Sequence, residues 1–166
     1  MLPPVDELNA LDEGAASQAL APIIEGAPRF GRRLAGLRPY ASYDELLDRA
    51  LEMAMSMPEE EQIELIDSHP RIGAAPGTVG ALSYREQGYD HDPGTADLQV
   101  RLDRLNEAYE HKFGFRFVIF VAGRPRSAIA KILEMSLGAE REAEKVRALT
   151  EVIAIARDRA QLLGRS

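Results

Sequence analysis

The chain contains no cysteine. That excludes disulfides, thiolate nucleophiles, iron–sulfur clusters and cysteine-bound zinc together. Histidine is scarce as well: only His69, His91 and His111 occur. None belongs to an H-E-x-x-H motif or an i, i+4 histidine pair, and no aspartate cluster accompanies them, so no metal-ligand spacing is present and no metal is expected. His111 near a helix end and His91 in "DHDPG" read as surface residues. Long basic runs are missing, and 20 basic residues face 27 acidic ones for a formal net charge of -7. Nucleic acid is not an expected partner of such a chain. No apolar run approaches membrane-spanning length, and "MLPPVDELNA" lacks the charged region, apolar stretch and cleavage site of a secretion signal. "LGRS" is not a Ser-Lys-Leu peroxisomal address. A soluble cytoplasmic protein is the expectation. No internal repeat or low-complexity tract is found.

What is present suits one compact domain spanning 1–166, because 166 residues with 45% hydrophobic and 28% charged can bury a sizeable core. The periodicity is helical almost throughout. "LNALDEGAASQALAPII" carries Leu8, Leu11, Ala15, Ala19 and Ile23 on one stripe and reads as a single helix. "RFGRRLAGL" predicts a short second helix that stops before Pro39. Ser42 and Glu45 form a capping-box pattern for a third, backed by Leu47, Ala50, Leu51 and Ala54. Pro58 suits the first turn of a fourth helix, where Glu59, Glu60 and Glu61 complement the positive dipole end. That helix runs to residue 67 and meets "SHPRIG".

Proline disfavours the helical region for the residue before it, so His69 falls where the chain turns out of this helix. The reading is a mouth position rather than a core position, for a side chain that titrates near neutrality. "AAPGTVGA" follows as a loop, "LSYREQ" as a short helix, and "DHDPG" as a break. The clearest helix is "TADLQVRLDRLNEAYEHKFG", with Leu98, Leu102, Leu105 and Tyr109 inward and Gly114 as the left-handed residue past its end. "FRFVIFV" has strand-like composition but no pairing partner anywhere in the chain, and reads as an extended connector near residues 115–122. Ser127 is placed to cap the next helix, Gly138 to end it, and a final long helix covers about 139–163. The sum is an all-α bundle of about seven to nine helices.

Three groups of residues invite functional readings, each with a plain structural alternative. His69 is a titratable group at a chain exit, or a cap for the last carbonyls of its helix. Ser83 and Glu86 are a polar pair, or a capping box in which Glu86 folds back over the serine amide. Arg157 and Arg159 both flank the last apolar stripe, where arginines commonly lay their stems on apolar surface. Periodicity does not choose between them.

Taken together, "LRPYAS", "HPRIG", "LSYREQ", "NEAYEHKFGFRFVIFVAGR" and "EVIAIARDRA", in this order, resemble the 2-oxo-4-hydroxy-4-carboxy-5-ureidoimidazoline (OHCU) decarboxylases over nearly the whole chain. The resemblance implies an all-helical, cofactor-free enzyme, usually a homodimer, that forms (S)-allantoin in urate breakdown. It implies His69 as catalytic acid/base and Glu86 as its partner. Pro70, Ser83 and Gln87 become substrate contacts, and Ile119, Phe120, Val121, Ala122 and Gly123 supply backbone groups. Arg159 becomes the anion anchor, matched through the end of "IARDRA". The substrate implied carries a hydroxyl and a carboxylate on one carbon beside a ring C=N, which can accept the electron pair left by departing carbon dioxide, so no cofactor is required. Orientation and proton transfer remain for the protein, and an imidazole suits them. The rival reading is a non-catalytic helical module that binds a purine-derived or anionic metabolite.

Overall fold

The computed structural model describes residues 1–24, 26–74, 76–88 and 95–164. Among these the chain is all-α: nine α-helices, one short 3-10 turn and no strand. The expected break at "DHDPG", with His91 in it, lies outside the described residues. No described helix is long and apolar enough to cross a membrane. The chain divides into two compact units, Met1–Ser68 with Leu149–Ser166, and His69–Ala148.

The first unit opens with α1 (Val5–Ala10) and α2 (Glu13–Leu20) where one helix was expected. Asp12 is the reason: its carboxylate accepts the Ala15 N–H at 2.8 Å, and an aspartate used in this way starts a helix rather than continuing one. Next come α3 (Pro28–Gly36) and α4 (Tyr43–Ser56). Arg38 links α1 and α3, donating to the Leu8, Leu11 and Ala35 carbonyls near the two helix ends. Ser42 caps α4 as expected, accepting the Glu45 N–H at 3.1 Å. Glu45, however, reaches past the serine to the Ala41 N–H, so the box closes one residue early. Leu8, Leu20, Leu34, Leu46 and Leu47 form the core of this unit. The helix α5 (Glu59–Asp67) starts behind Pro58, which is its N-cap, and ends at Ser68.

The second unit is built on α7 (Ala96–Phe113) and α8 (Arg126–Ser136), which pack together, with α6 (Ala81–Glu86) before them. The last helix, α9 (Arg141–Gly164), begins in this unit and continues into the first. Thr95 caps α7 and Gly114 ends it in the left-handed conformation at φ 80°. The N-cap of α8 is Pro125 rather than Ser127, and no side chain caps it. Proline there leaves one fewer orphan donor, so the serine lies inside the helix.

The segment 115–121 is the extended connector that the missing strand partner implied. Phe115, Phe117, Val118, Ile119 and Val121 are buried, and the first two rings pack on Tyr109, with centroids 6.0 and 5.3 Å away. A buried backbone without a neighbouring strand must find other hydrogen-bond partners. Arginines supply them: Arg147 donates to the Val118 carbonyl at 2.8 Å, and Arg124 to those of Phe120 and Val121.

Candidate functional site

His69 follows directly on the C-cap of α5, as the proline after it requires. It is not at a mouth, however: only 8% of its surface is exposed, and Ile72 and Gly73 behind it are buried too. The expectation of exposure treated the exit from a helix as an exit into solvent. Instead the segment 69–73 is a loop buried at His69, Ile72 and Gly73 and half-buried between them, and its carbonyl groups carry the cost of that burial unless something bonds them.

Four side chains do so, each from elsewhere in the second unit. Arg116 donates to the His69 carbonyl at 3.1 Å, Gln87 Nε2 to that of Arg71 at 3.1 Å, Asn106 Nδ2 to that of Ile72 at 2.9 Å, and Gln99 Nε2 to that of Gly73 at 2.8 Å. The other end of the Gln87 amide accepts the Gly73 N–H at 2.9 Å. Gly73 has φ 79°, a conformation open to glycine and strained for other residues. The Arg71 guanidinium makes a two-pronged ion pair with Glu110 of α7, which raises the Arg71 pKa above its ordinary value.

The helix α6 settles the alternative reading of Ser83 and Glu86. Its N-cap is Gly80, so Ser83 sits within the helix and Glu86 is its last residue. A capping box at these positions is therefore not formed. At i, i+3 and i+4, Ser83, Glu86 and Gln87 share one face of the chain at this point. Ser83 and Gln87 are buried, and Glu86 and Pro70 half-buried. Through Gln87 the end of α6 is tied to the loop that begins at His69.

In the connector, Ile119 and Val121 are buried, Phe120 is half-buried, and Ala122 and Gly123 are exposed. Ala122 at φ 51° and Gly123 at φ 73° form the centre of a tight turn closed by the Arg124 N–H on the Val121 carbonyl. Positive φ at both central residues is the type I′ pattern, and for an alanine it is strained. Behind this stretch, Glu144 accepts the Tyr109 hydroxyl and pairs with Arg147, the residue that holds Val118. Burial first, then the bond and charge of Glu144, push the Tyr109 phenol far above its usual pKa. Burial works to lower Arg147, but Glu144 outweighs it and the net shift is upward.

Arg159 lies in the part of α9 that belongs to the first unit, and at 1% exposure it is the largest fully buried side chain there. Arg157 is different. It is part-exposed and donates to Asp44 at 2.8 Å and Asp48 at 2.7 Å, both on α4. The two arginines that periodicity left alike therefore differ in burial and in their ion pairs. Sequence reasoning missed Asn106, Gln99 and Arg116. The trace that was available is Asn106 itself, a polar residue on the buried stripe of Leu102, Tyr109 and Phe113.

A sequence model of the OHCU decarboxylase family matches residues 9–161. The chain is 31% identical over 155 residues to a 2-oxo-4-hydroxy-4-carboxy-5-ureidoimidazoline decarboxylase of Haloferax volcanii, covering 92% of this chain and 90% of that one. It is 33% identical over 159 residues to the uric acid degradation bifunctional protein PucL of Bacillus subtilis, spanning 93% of this chain but only 31% of that longer protein. Among solved structures, an OHCU decarboxylase in the presence of (S)-allantoin superimposes with a TM-score of 0.70 at 21% identity, covering 87% of this chain and 96% of the other. That likeness is one of fold.

Proposed function

The chain belongs to the OHCU decarboxylase family, and from that premise we propose that residues 1–166 act as one catalytic domain converting 2-oxo-4-hydroxy-4-carboxy-5-ureidoimidazoline to (S)-allantoin without a cofactor. The observation that carries this reading is the pair of hydrogen bonds between the Gln87 side-chain amide and the backbone of Arg71 and Gly73. It joins the helix bearing Ser83 and Glu86 to the loop that starts at His69, so the polar residues of two separate motifs belong to one construction.

In the reaction the bond from the substituted carbon to its carboxylate breaks, releasing carbon dioxide; the electron pair forms a C=C bond to the neighbouring carbon and displaces the C=N electrons onto nitrogen, which takes up a proton. The hydroxyl loses its proton as it becomes a carbonyl, and one face of the neighbouring carbon gains a proton, which sets the S configuration. His69 is the group that moves a proton in this scheme, and Glu86 holds either the imidazole or the substrate hydroxyl. Burial supports the role of His69, because fixed groups in a dry setting orient and stabilise charge better than solvated ones. Pro70, Ser83 and Gln87 and the backbone of Ile119–Gly123 are assigned to substrate contact, and Arg159 to the anionic group, a planar pairing for which guanidinium is suited. The burial of Arg159, against the surface ion pairs of Arg157, supports that choice. A homodimer is the assembly proposed, as in the family resemblance.

The test uses urate-oxidation intermediates generated immediately before use, with circular dichroism following optically active allantoin. The full chain should accelerate its appearance. His69→Asn should lose about two to four orders of magnitude of that acceleration while keeping the helical spectrum, and Glu86→Gln should lose much of it with little change in melting. Binding of allantoin without turnover would overturn the enzyme reading in favour of a binding module.

A further inference from the structure

The stripe of α7 that faces the interior runs Leu102, Asn106, Tyr109, Phe113, and the second of these is out of character. Asn106 is 1% exposed, its Nδ2 donates to the Ile72 carbonyl at 2.9 Å, and its Oδ1 is buried with no hydrogen-bond partner among the described residues. A helix selected for packing alone would carry an aliphatic residue at such a site, since a buried amide with one end unbonded is costly. What the amide does accomplish is specific. Ile72 lies three residues past His69, on a loop with no regular structure of its own. The bonds to the flanking carbonyls come from Arg116, Gln87 and Gln99, none of which is as deeply buried as Asn106. Asn106 projects from the middle of the 18-residue helix α7, so its position is set by the core rather than by the loop.

The geometry points to Asn106 as a positioning residue for the reaction, one that acts through the backbone of the loop on which His69 is carried. This inference rests on the proposed function for its catalytic consequence. Its structural content stands apart: the loop 69–74 is fastened to α7 by the Asn106 amide. Loss of that donor lets the loop sample other arrangements, and a misplaced proton-transfer group reduces the turnover number much more than it weakens substrate binding.

The experiment compares the full chain with Asn106→Asp and Asn106→Leu, and with Leu133→Ala as a reference for general loosening of the same unit, Leu133 being a fully buried residue of α8. Steady-state kinetics and native-state amide hydrogen exchange are read on each. The expected result for the Asn106 variants is a kcat lower by about tenfold to a hundredfold with KM changed much less. Amide exchange across 69–74 should quicken while that of α8 stays as it was. Leu133→Ala should lose stability with kcat largely kept. Folded Asn106 variants with wild-type kcat and wild-type loop exchange overturn the inference, and so does a fall in kcat that Leu133→Ala reproduces at equal loss of stability. Should both Asn106 variants fail to fold, Gln99→Leu, at a half-buried position, removes the neighbouring donor to Gly73. Faster loop exchange with lower kcat then supports the inference, and neither change overturns it. A wild-type chain without turnover sinks the proposed function, and with it the catalytic role of Asn106.

Discussion

Gln87 Oε1 accepts the amide proton of Gly73 across 2.9 Å, and both residues are buried. The same side chain spends its nitrogen on the Arg71 carbonyl, so both ends of one amide are engaged by the loop after His69. A residue assigned to substrate contact is thus also a clamp, and the two roles separate in kinetics. Gln87→Glu keeps the size and an acceptor but removes the donor and places a negative charge against the Arg71 carbonyl. The expected outcome is a loss of roughly 1–3 kcal/mol in urea unfolding, because a buried carbonyl loses its partner. A fall confined to kcat identifies the clamp, and a rise confined to KM identifies the substrate contact.

Gly73→Ala should be destabilising for two independent reasons. The residue has φ 79°, where an L side chain costs about 1–2 kcal/mol, and a Cβ there would lie 3.1 Å from Leu102 Cδ1. Urea midpoints measure the loss. Allantoin formation should fall with it, since the displaced backbone leads directly back to His69. An alanine variant with wild-type stability would show that the loop can adopt another path.

The two arginines near the end of α9 should behave oppositely. Arg157→Ala removes part-exposed ion pairs to Asp44 and Asp48, for which losses within about 1 kcal/mol and full activity are expected. Arg159→Lys keeps the charge but removes the planar fork. It should raise KM on the order of tenfold or more, the effect of losing a charge-assisted hydrogen bond. Exchanged outcomes would move the anion anchor to Arg157.

Stability should decline in alkali through Tyr109. Burial, then the hydrogen bond to Glu144 and its charge, raises this phenol above the ordinary value near 10. The proton is held more tightly in the folded chain than in the unfolded one. The stabilisation is therefore complete below about pH 10 and is lost as pH rises from there towards the folded-state pKa, at up to about 1.4 kcal/mol per pH unit. Tyr40 and Tyr43 are shifted the same way by burial and add to the decline. Urea midpoints between pH 9 and 11 should fall less steeply for Tyr109→Phe than for the wild type. Equal slopes would mean that the phenol titrates normally.

Much of the helical framework was legible in the residues because helix ends and apolar faces are local properties. Ser42, Gly114 and Pro70 act within a turn of where they stand, and their effects were readable without knowing what packs against them. The connector was legible for a related reason: "FRFVIFV" had no partner strand to find. Local rules misread the chain where two of them competed. Asp12 opened a helix inside an apolar stripe, and the Ser-x-x-Glu pattern at Ser83 and Glu86 lies inside a helix that had already begun at Ala81.

The sequence by itself determined most of the helical framework, the family, and which polar residues were candidates, since each of these is written in spacing along one chain. Tertiary structure alone decided that His69 and Arg159 are buried, that Arg157 is engaged by surface aspartates, and that a loop without secondary structure is held by Asn106, Gln99, Gln87 and Arg116. The physical reason is that a backbone carbonyl carries no side-chain signature. Which distant amide or guanidinium bonds it depends on where the folded chain brings them together, and residues 34 positions apart, such as Ile72 and Asn106, meet only there.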